Sequence, residues 1–486
     1  MIVGPTPARP RARRALAGVA LAALAALGAF RLGPLPPAGP LLDPANGLWA
    51  VAATAEPPST DRARAPGLAD SVRVLYDDRA VPHIFAASEG DAYEALGYVV
   101  ARDRLFEMEL AARDGGGTLT ELLGPALLDA DRETRGLGVR RAAERIVTAL
   151  PAASRAALER YVAGANAWVA GMRPRDLPLE YRLLGRRPMR FGILDPIYVY
   201  LRMGRILAWS DEEFVRLAAA ARVGRAAADA LYPAHAPIQE PIVPAPGEPR
   251  TLAGTIPPPG APDSAAVEAL GTLGRGRIPL ALASGRRDAE ADAPGSNNWA
   301  VAPRRTRDGF ALLAGDPHLE LTLPSVWYEA HLAAPGLDVY GATIPGLPVI
   351  VIGFNRDVAW SFTNTQADVL DYWRETVDDP ARPSRYRLDG AWRPLETRIE
   401  TYRDADGRVL ATDTLRFTHR GPMMRSDGRW LSFRWTVLES ADVTPLERAA
   451  HARTAQEWLD ATAGYDAPPQ NMLVADRRGT IAIRST

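Results

Sequence analysis

The feature that most constrains this chain is an abrupt change of habit at Pro294-Gly295-Ser296. Ahead of it, from about Val139 to Val223, apolar residues recur at helical spacing: Leu158, Tyr161, Val162 and Val169, then Met203 and Leu207 one turn apart on a shared face. Pro151, Pro174 and Pro188 interrupt that run. Behind the junction, short apolar runs bounded by turn residues predict strands over 299–302, 310–314, 325–331 and 347–353. Asp389-Gly390 and Asp406-Gly407 mark turns between later strands. The continuous apolar run Val349–Ile352 predicts a strand buried on both faces. Between the two halves, Pro, Gly and charged residues replace any sustained apolar period, ending in Arg286-Arg287-Asp288-Ala289-Glu290-Ala291-Asp292. Such a chain folds as mixed α and β, with strands concentrated after Ser296. The segment between is either an excisable spacer or an interdomain linker.

Upstream, Val72, Val74 and Tyr76 alternate as in a strand, Asp77-Asp78-Arg79 makes a turn, and Val81–Phe85 resumes an extended run. Ser88 with Asp91 reads as a capping box opening a helix through Leu96, Val99, Leu105 and Met108. His83 and Arg102 read as structural hydrogen-bonding groups beside that core. At the N-terminus, Arg9, Arg11, Arg13 and Arg14 precede an apolar run from Ala15 to Phe30, with no acid before Asp43. This is an export pattern. The run is shorter than the roughly 20 residues that span a bilayer. Residues 1–33 are therefore read as a signal peptide or a membrane anchor, 34–67 as a Pro/Ala-rich linker, and the protein as periplasmic or secreted. With 57 basic and 58 acidic residues and a net charge of -1, the chain has no global field to attract nucleic acid. It has no cysteine, which excludes thiol catalysis and disulfides. HExxH, P-loop and GxSxG signatures are absent.

Ser296 is where chemistry is expected. A serine hydroxyl is a weak nucleophile without an adjacent base. If the peptide bond between Gly295 and Ser296 is cut, the new α-amine, with an ordinary pKa of roughly 7.7–8.0, becomes that base on the same residue. Gly295, lacking a Cβ, tolerates the backbone distortion that such a cut demands.

Three spaced blocks, Gly295-Ser-Asn-Asn-Trp-Ala-Val301, Gly315-Asp-Pro-His-Leu319 and Ala359-Trp-Ser-Phe-Thr-Asn364, resemble the penicillin acylase family of N-terminal-nucleophile hydrolases. The resemblance runs from about Leu68 to Thr486. Histidine at 318, where phenylacetyl-type penicillin acylases carry glutamine, is similar to the acyl-homoserine-lactone, cephalosporin and aculeacin branch. The resemblance implies an α+β, four-layer αββα fold, with a small chain over 68–232, a linker and excisable spacer over 233–295, and a nucleophile chain from 296 to 486, the two processed chains pairing as a heterodimer. It implies Ser296 as nucleophile, His318 as its orienting residue and the Asn364 backbone N–H as an oxyanion donor. It further implies Met203, Leu207, Leu319, Ile352 and Phe362 as the acyl-pocket wall. A structural calcium ion is implied at Asp368, the Leu370 carbonyl, Asp371 and Glu213, or Glu212 if the alignment slips by one. The substrate would be a small N-acyl amide of acyl-homoserine-lactone or β-lactam type. After Ser296 the chain is shorter than the family's nucleophile chain. The last match is Gln470–Asp476, and the family's second oxyanion donor, an asparagine side chain further on, has no counterpart; Asn471 does not stand in for it. A truncated member is therefore expected, and the competing reading is an inactive remnant or binding protein of the same fold.

Overall fold

Ser88 opens the longest helix among the described residues, α1 (Glu89–Gly116), by accepting a hydrogen bond from the Asp91 amide at 3.1 Å. The capping box is only half formed. The Asp91 carboxylate turns back to the preceding loop, accepting from the amides of Ala69 and Asp70 and from Arg160. Gly117, in the left-handed region at φ 65°, ends the helix. A second helix, α2 (Ala152–Gly171), crosses α1 so closely that a Cβ on Gly97 would lie 1.9 Å from the Tyr161 carbonyl oxygen. A third, α3 (Leu194–Ala208), packs against α1 as well.

The computed structural model describes residues 17–23, 28–29, 38–44, 47–53, 62–210, 212–233, 296–426, 428–440 and 445–486. Gly295, most of the export segment and nearly all of the 233–295 spacer lie outside the described residues. The chain divides into two units, one comprising Met1–Ala208, Pro294–Arg425 and Arg429–Thr486, the other Trp209–Ala293 with Ser426–Gly428.

In the first unit, the strands β1 (Arg73–Tyr76), β2 (Pro82–Phe85), β3 (Asn297–Val301), β4 (Leu312–Asp316), β5 (Tyr328–Ala334), β6 (Leu337–Thr343), β7 (Ile352–Asn355) and β8 (Val358–Asn364) are followed by β9 (Leu370–Glu375). Then come the hairpins β10 (Arg385–Leu388)/β11 (Ala391–Pro394) and β12 (Glu396–Arg403)/β13 (Val409–Phe417), and β14 (Met423–Ser426), whose last residue is counted with the second unit, β15 (Arg429–Trp435), β16 (Gln470–Asp476) and β17 (Ile481–Ser485). An eight-stranded sheet runs β1-β2-β5-β6-β7-β8-β16-β17. Its β2–β5 pairing is parallel and the rest are antiparallel. The core lies between this sheet and the helices, where Leu96, Val99 and Val100 of α1 join Ile84, Leu332, Val339 and Trp360. Trp360 and Phe362 of β8 face Trp458 on this side, while Ser361 between them faces the β3–β4 ribbon. Strand alternation thus puts helices on one face of the sheet and the ribbon on the other.

The expected strand over 347–353 forms only from Ile352. Pro345 and Pro348 remove ladder donors, and Gly346 turns at φ 107°, so Val349 and Ile350 are buried in an irregular loop instead. The strand expected over 325–331 begins at Tyr328, because Ser325 Oγ accepts from the Trp327 amide and closes a local turn. Asp389 and Gly390 both take positive φ, 52° and 78°, the type I′ geometry that their sequence predicts.

In the second unit, α4 (Glu212–Val223) and α5 (Arg225–Leu231) pack on each other about Gly224, and α4 carries Glu213. No helix among the described residues is long and apolar enough to cross a membrane.

Candidate active site

The β3–β4 register, Asn297 opposite Asp316 and Trp299 opposite Ala314, lays Ser296 beside the chain leaving β4. There the backbone N–H of His318 donates to Ser296 Oγ at 3.1 Å. The His318 ring is engaged elsewhere, its Nε2 lying 2.8 Å from the Asp316 carboxylate. His318 therefore holds the serine through its main chain, while Asp316 fixes its ring. The ribbon is seated on β8 through Gly315, where a Cβ would meet Ser361 Oγ at 1.8 Å.

Ser296 opens onto a cavity of about 100 Å³. Met203 and Leu207 of α3 line it together with Leu319, Ile352, Phe362 and Asn364. All five expected pocket residues and the expected oxyanion residue thus share one cavity with the serine. The sequence reading missed Tyr200, Trp327, Ile344, Leu347 and Tyr465, which also line it. Tyr465 stacks on Phe362 with centroids 6.2 Å apart and planes at 10°. Burial pushes its hydroxyl well above the ordinary tyrosine range. The helical period that exposed Met203 and Leu207 also covers Tyr200, whereas Trp327 and Tyr465 sit in irregular segments that carry no period.

Most of the polar atoms around the cavity are already committed. Tyr200 donates to the Ala467 carbonyl, Gln470 Nε2 to the Pro469 carbonyl at 2.8 Å, and Asn364 Nδ2 to the Leu207 carbonyl at 2.7 Å. What remains is a hydrocarbon wall with a hydroxyl at one end. Such a wall accepts an apolar group and holds it beside a nucleophile.

The expected calcium ligands are divided between the units. Asp368 and Asp371 are exposed and Leu370 is buried at the entry of β9, all in the first unit, while Glu213 belongs to the second. Two carboxylates and a carbonyl are hard oxygen donors of the kind that calcium takes, and they are fewer than the 6–8 it needs. Among the described residues, the His/Asp/Glu group whose ligand atoms lie within 4.8 Å of one another is a different one, Glu89, Glu447 and His451. Burial, with Glu89 nearby, lifts the Glu447 carboxyl above its ordinary value despite a hydrogen bond from Ser154.

Residues 71–486 match the family described as penicillin amidase. Penicillin acylase 2 proenzyme of Pseudomonas sp. (strain SE83) is 33% identical over 434 residues, covering 87% of this chain and 53% of that protein. Acyl-homoserine lactone acylase QuiP of Pseudomonas aeruginosa is 31% identical, covering 87% and 50%. Penicillin G acylase of Escherichia coli is 25% identical, covering 89% and 54%. The chain therefore spans about half the length of these relatives. A solved thermostable penicillin G acylase from Alcaligenes faecalis aligns with 39% of this chain and 34% of its own, at 28% identity and a TM-score of 0.35.

Proposed function

The chain belongs to the penicillin amidase family, and from that premise we propose that it is a self-processing amidohydrolase acting on N-acyl amides of acyl-homoserine-lactone or β-lactam type through an acyl-serine intermediate at Ser296. The observation that carries this reading is Ser296 Oγ, held by the His318 amide at the mouth of an apolar cavity. Cutting before Ser296 frees its α-amine. The amine takes the hydroxyl proton as Oγ attacks the amide carbon, and the tetrahedral oxyanion is met by the Asn364 backbone N–H. Collapse breaks the C–N bond, and the ammonium returns the proton to the leaving amine. Water then attacks the acyl-serine ester with the same amine as base, releasing the acid and restoring the hydroxyl. The acyl group lies against Met203, Leu207, Leu319, Ile352 and Phe362 while this happens.

In this reading the segments before and after the spacer remain together as a heterodimer. Arg135 to Glu400 at 3.2 Å, nearly out of water, supports this, as do Arg398 to Glu144 and Arg141 to Glu396, each at 2.8 Å. The proposal includes export, a second helical layer over the β3–β4 ribbon, and a structural calcium ion to which Asp368, Asp371 and the Leu370 carbonyl offer oxygen donors, and which would contribute stability by binding the folded state alone.

N-terminal sequencing of the purified protein tests the reading. A fragment beginning at Ser296 is expected, and Ser296→Ala is expected to stay whole; a fragment starting elsewhere, or cutting in the alanine variant, overturns it. The competing reading is a non-catalytic binding protein of the same fold. Amine release from penicillins and acyl-homoserine lactones, measured on the 486-residue chain, separates the two.

A further inference from the structure

Strands β2 and β5 run parallel with His83 opposite His331, and this pairing joins sequence before Ser296 to sequence after it. The two rings meet edge to face, with centroids 5.2 Å apart and planes at 79°, and their Nδ1 atoms are 3.0 Å apart. The outer nitrogen of each ring faces a carboxylate. His331 Nε2 is 2.9 Å from Asp338 Oδ1, and His83 Nε2 is 3.6 Å from Asp77 Oδ2.

A carboxylate only accepts hydrogen bonds when ionised, so each of these partners favours a proton on the Nε2 it faces. Both carboxylates are held below their ordinary range. For Asp77 the chief cause is the Val81 amide; for Asp338, burial pulls upward but hydrogen bonds from His331 and Arg356 prevail. If both neutral rings carry their proton on Nε2, two bare Nδ1 lone pairs confront each other across 3.0 Å. That confrontation is relieved when one ring moves its proton to Nδ1 and donates it to the other, when a further proton is taken up, or when a metal ion sits between the rings.

We propose that His83 and His331 form a bis-imidazole site for a first-row divalent cation of tetragonal preference, copper(II) foremost and nickel(II) next, with Asp77 and Asp338 orienting the two ligands from behind. The pattern of a ligating imidazole whose far N–H rests on a carboxylate fixes the tautomer and raises ligand basicity. The spacing selects the geometry. Two nitrogens about 2.0–2.1 Å from one ion and 3.0 Å apart subtend roughly 91–97°, near the cis angle of a tetragonal site, whereas tetrahedral zinc would separate them by about 3.3–3.4 Å.

The surroundings suit an added dication. Asp77, Asp338 and Glu329 stand against Arg79 and Arg356; Arg79 is tied to Glu329 at 3.2 Å and to the Tyr340 hydroxyl at 2.6 Å, and Arg356 to Asp338. The side chains of His83 and His331 are 28% and 17% exposed, so water can complete the coordination. None of these residues lines the Ser296 cavity. An ion here would clamp by coordination the two segments that the proposed cleavage separates.

The test is titration of the full chain with copper(II) in a non-coordinating buffer, read by calorimetry and electron paramagnetic resonance. The expected result is one tight equivalent with a tetragonal spectrum carrying hyperfine structure from two nitrogens, and a rise in Tm. His83→Ala and His331→Ala should each abolish the two-nitrogen signal, and Asp338→Asn, which keeps both rings, should weaken binding 10- to 100-fold. Absence of an equivalent that the histidine variants remove overturns the site and leaves a proton-bridged pair. An unchanged spectrum in those variants overturns it too, placing the ion elsewhere. If the alanine variants fail to fold, Asp77→Asn and Asp338→Asn decide, and unchanged copper affinity in both refutes the proposal.

Discussion

Gly315→Ala tests whether the seat of the β3–β4 ribbon sets the position of Ser296. The added Cβ would lie 1.8 Å from Ser361 Oγ and 2.6 Å from Ser361 Cβ. The hydroxyl can rotate away, but the Cβ cannot, and an ordinary contact of about 3.4 Å requires the ribbon to withdraw by roughly 0.8 Å. Overpacking of this kind costs about 1–3 kcal/mol, which for a unit of this size lowers Tm by about 1–4 °C. Ser296 and His318 flank the ends of that ribbon, so the shift is passed directly to the Oγ. A displacement near 1 Å is worth on the order of 100-fold in rate, so self-cleavage or turnover should fall by about that factor. Ser361→Gly removes both obstructing atoms and leaves the Ser361 Cα at 3.9 Å. On its own it should cost about 0.5–1 kcal/mol for a glycine within a strand. The double variant should recover most of the loss, giving a coupling of about 1–2 kcal/mol by calorimetric Tm and a parallel recovery of cleavage. Strict additivity of the two single variants would refute the packing argument, whatever the activity shows.

Asn364→Ala deletes the side chain that donates to the Leu207 carbonyl while keeping the backbone N–H assigned to the oxyanion. Its expected effect on acyl-amide hydrolysis is a rise in KM larger than the fall in kcat, and a dominant kcat effect would count against a pocket-wall role. Asp195 is raised by burial to about 6, despite the Gly192 amide that donates to it. Its contribution is therefore fully present below about pH 4 and is lost as pH rises through about 6, because the unfolded chain ionises first. Asp195→Asn should raise Tm at pH 7 and leave it unchanged at pH 3.5, and an equal effect at both values would refute this assignment.

Much of the site was legible because its residues lie in segments with a period or a motif. Met203 and Leu207 share a face of α3 by spacing alone, and both reach the cavity. The Asp389-Gly390 turn could be read from its dipeptide, since left-handed backbone at two successive positions is what that pair tolerates. The loop carrying Val349 could not. Its apolar run imitates a buried strand, and only the competition between that run and Pro345, Gly346 and Pro348 decides the outcome, helped by Tyr161 accepting from the Gly346 amide at 3.0 Å. Asp91 was misread for a similar reason. Local sequence offers it Ser88, but tertiary structure offers Arg160 and two loop amides. The pairing of His83 with His331 depends on the register of strands 248 residues apart, which no local pattern encodes.

The end of α3 shows why the segments before and after Ser296 act as one unit. The last carbonyls of a helix have no intrahelical donor and must find partners elsewhere. Here two of those partners come from the later segment: Asn364 Nδ2 serves Leu207, and Trp435 Nε1 serves Ala208 at 3.1 Å. A third tie runs the other way, from the Tyr200 hydroxyl of α3 to the Ala467 carbonyl. Parting the segments would exchange each of these bonds for bonds to water, a net loss of about 0.5–1.5 kcal/mol apiece. The same helix presents Met203 and Leu207 to the cavity, so the bonds that fix its end also fix the wall against which an acyl group would rest. Cutting the chain before Ser296 breaks none of these bonds. The cavity can therefore keep its shape through the one covalent change that the proposed chemistry requires.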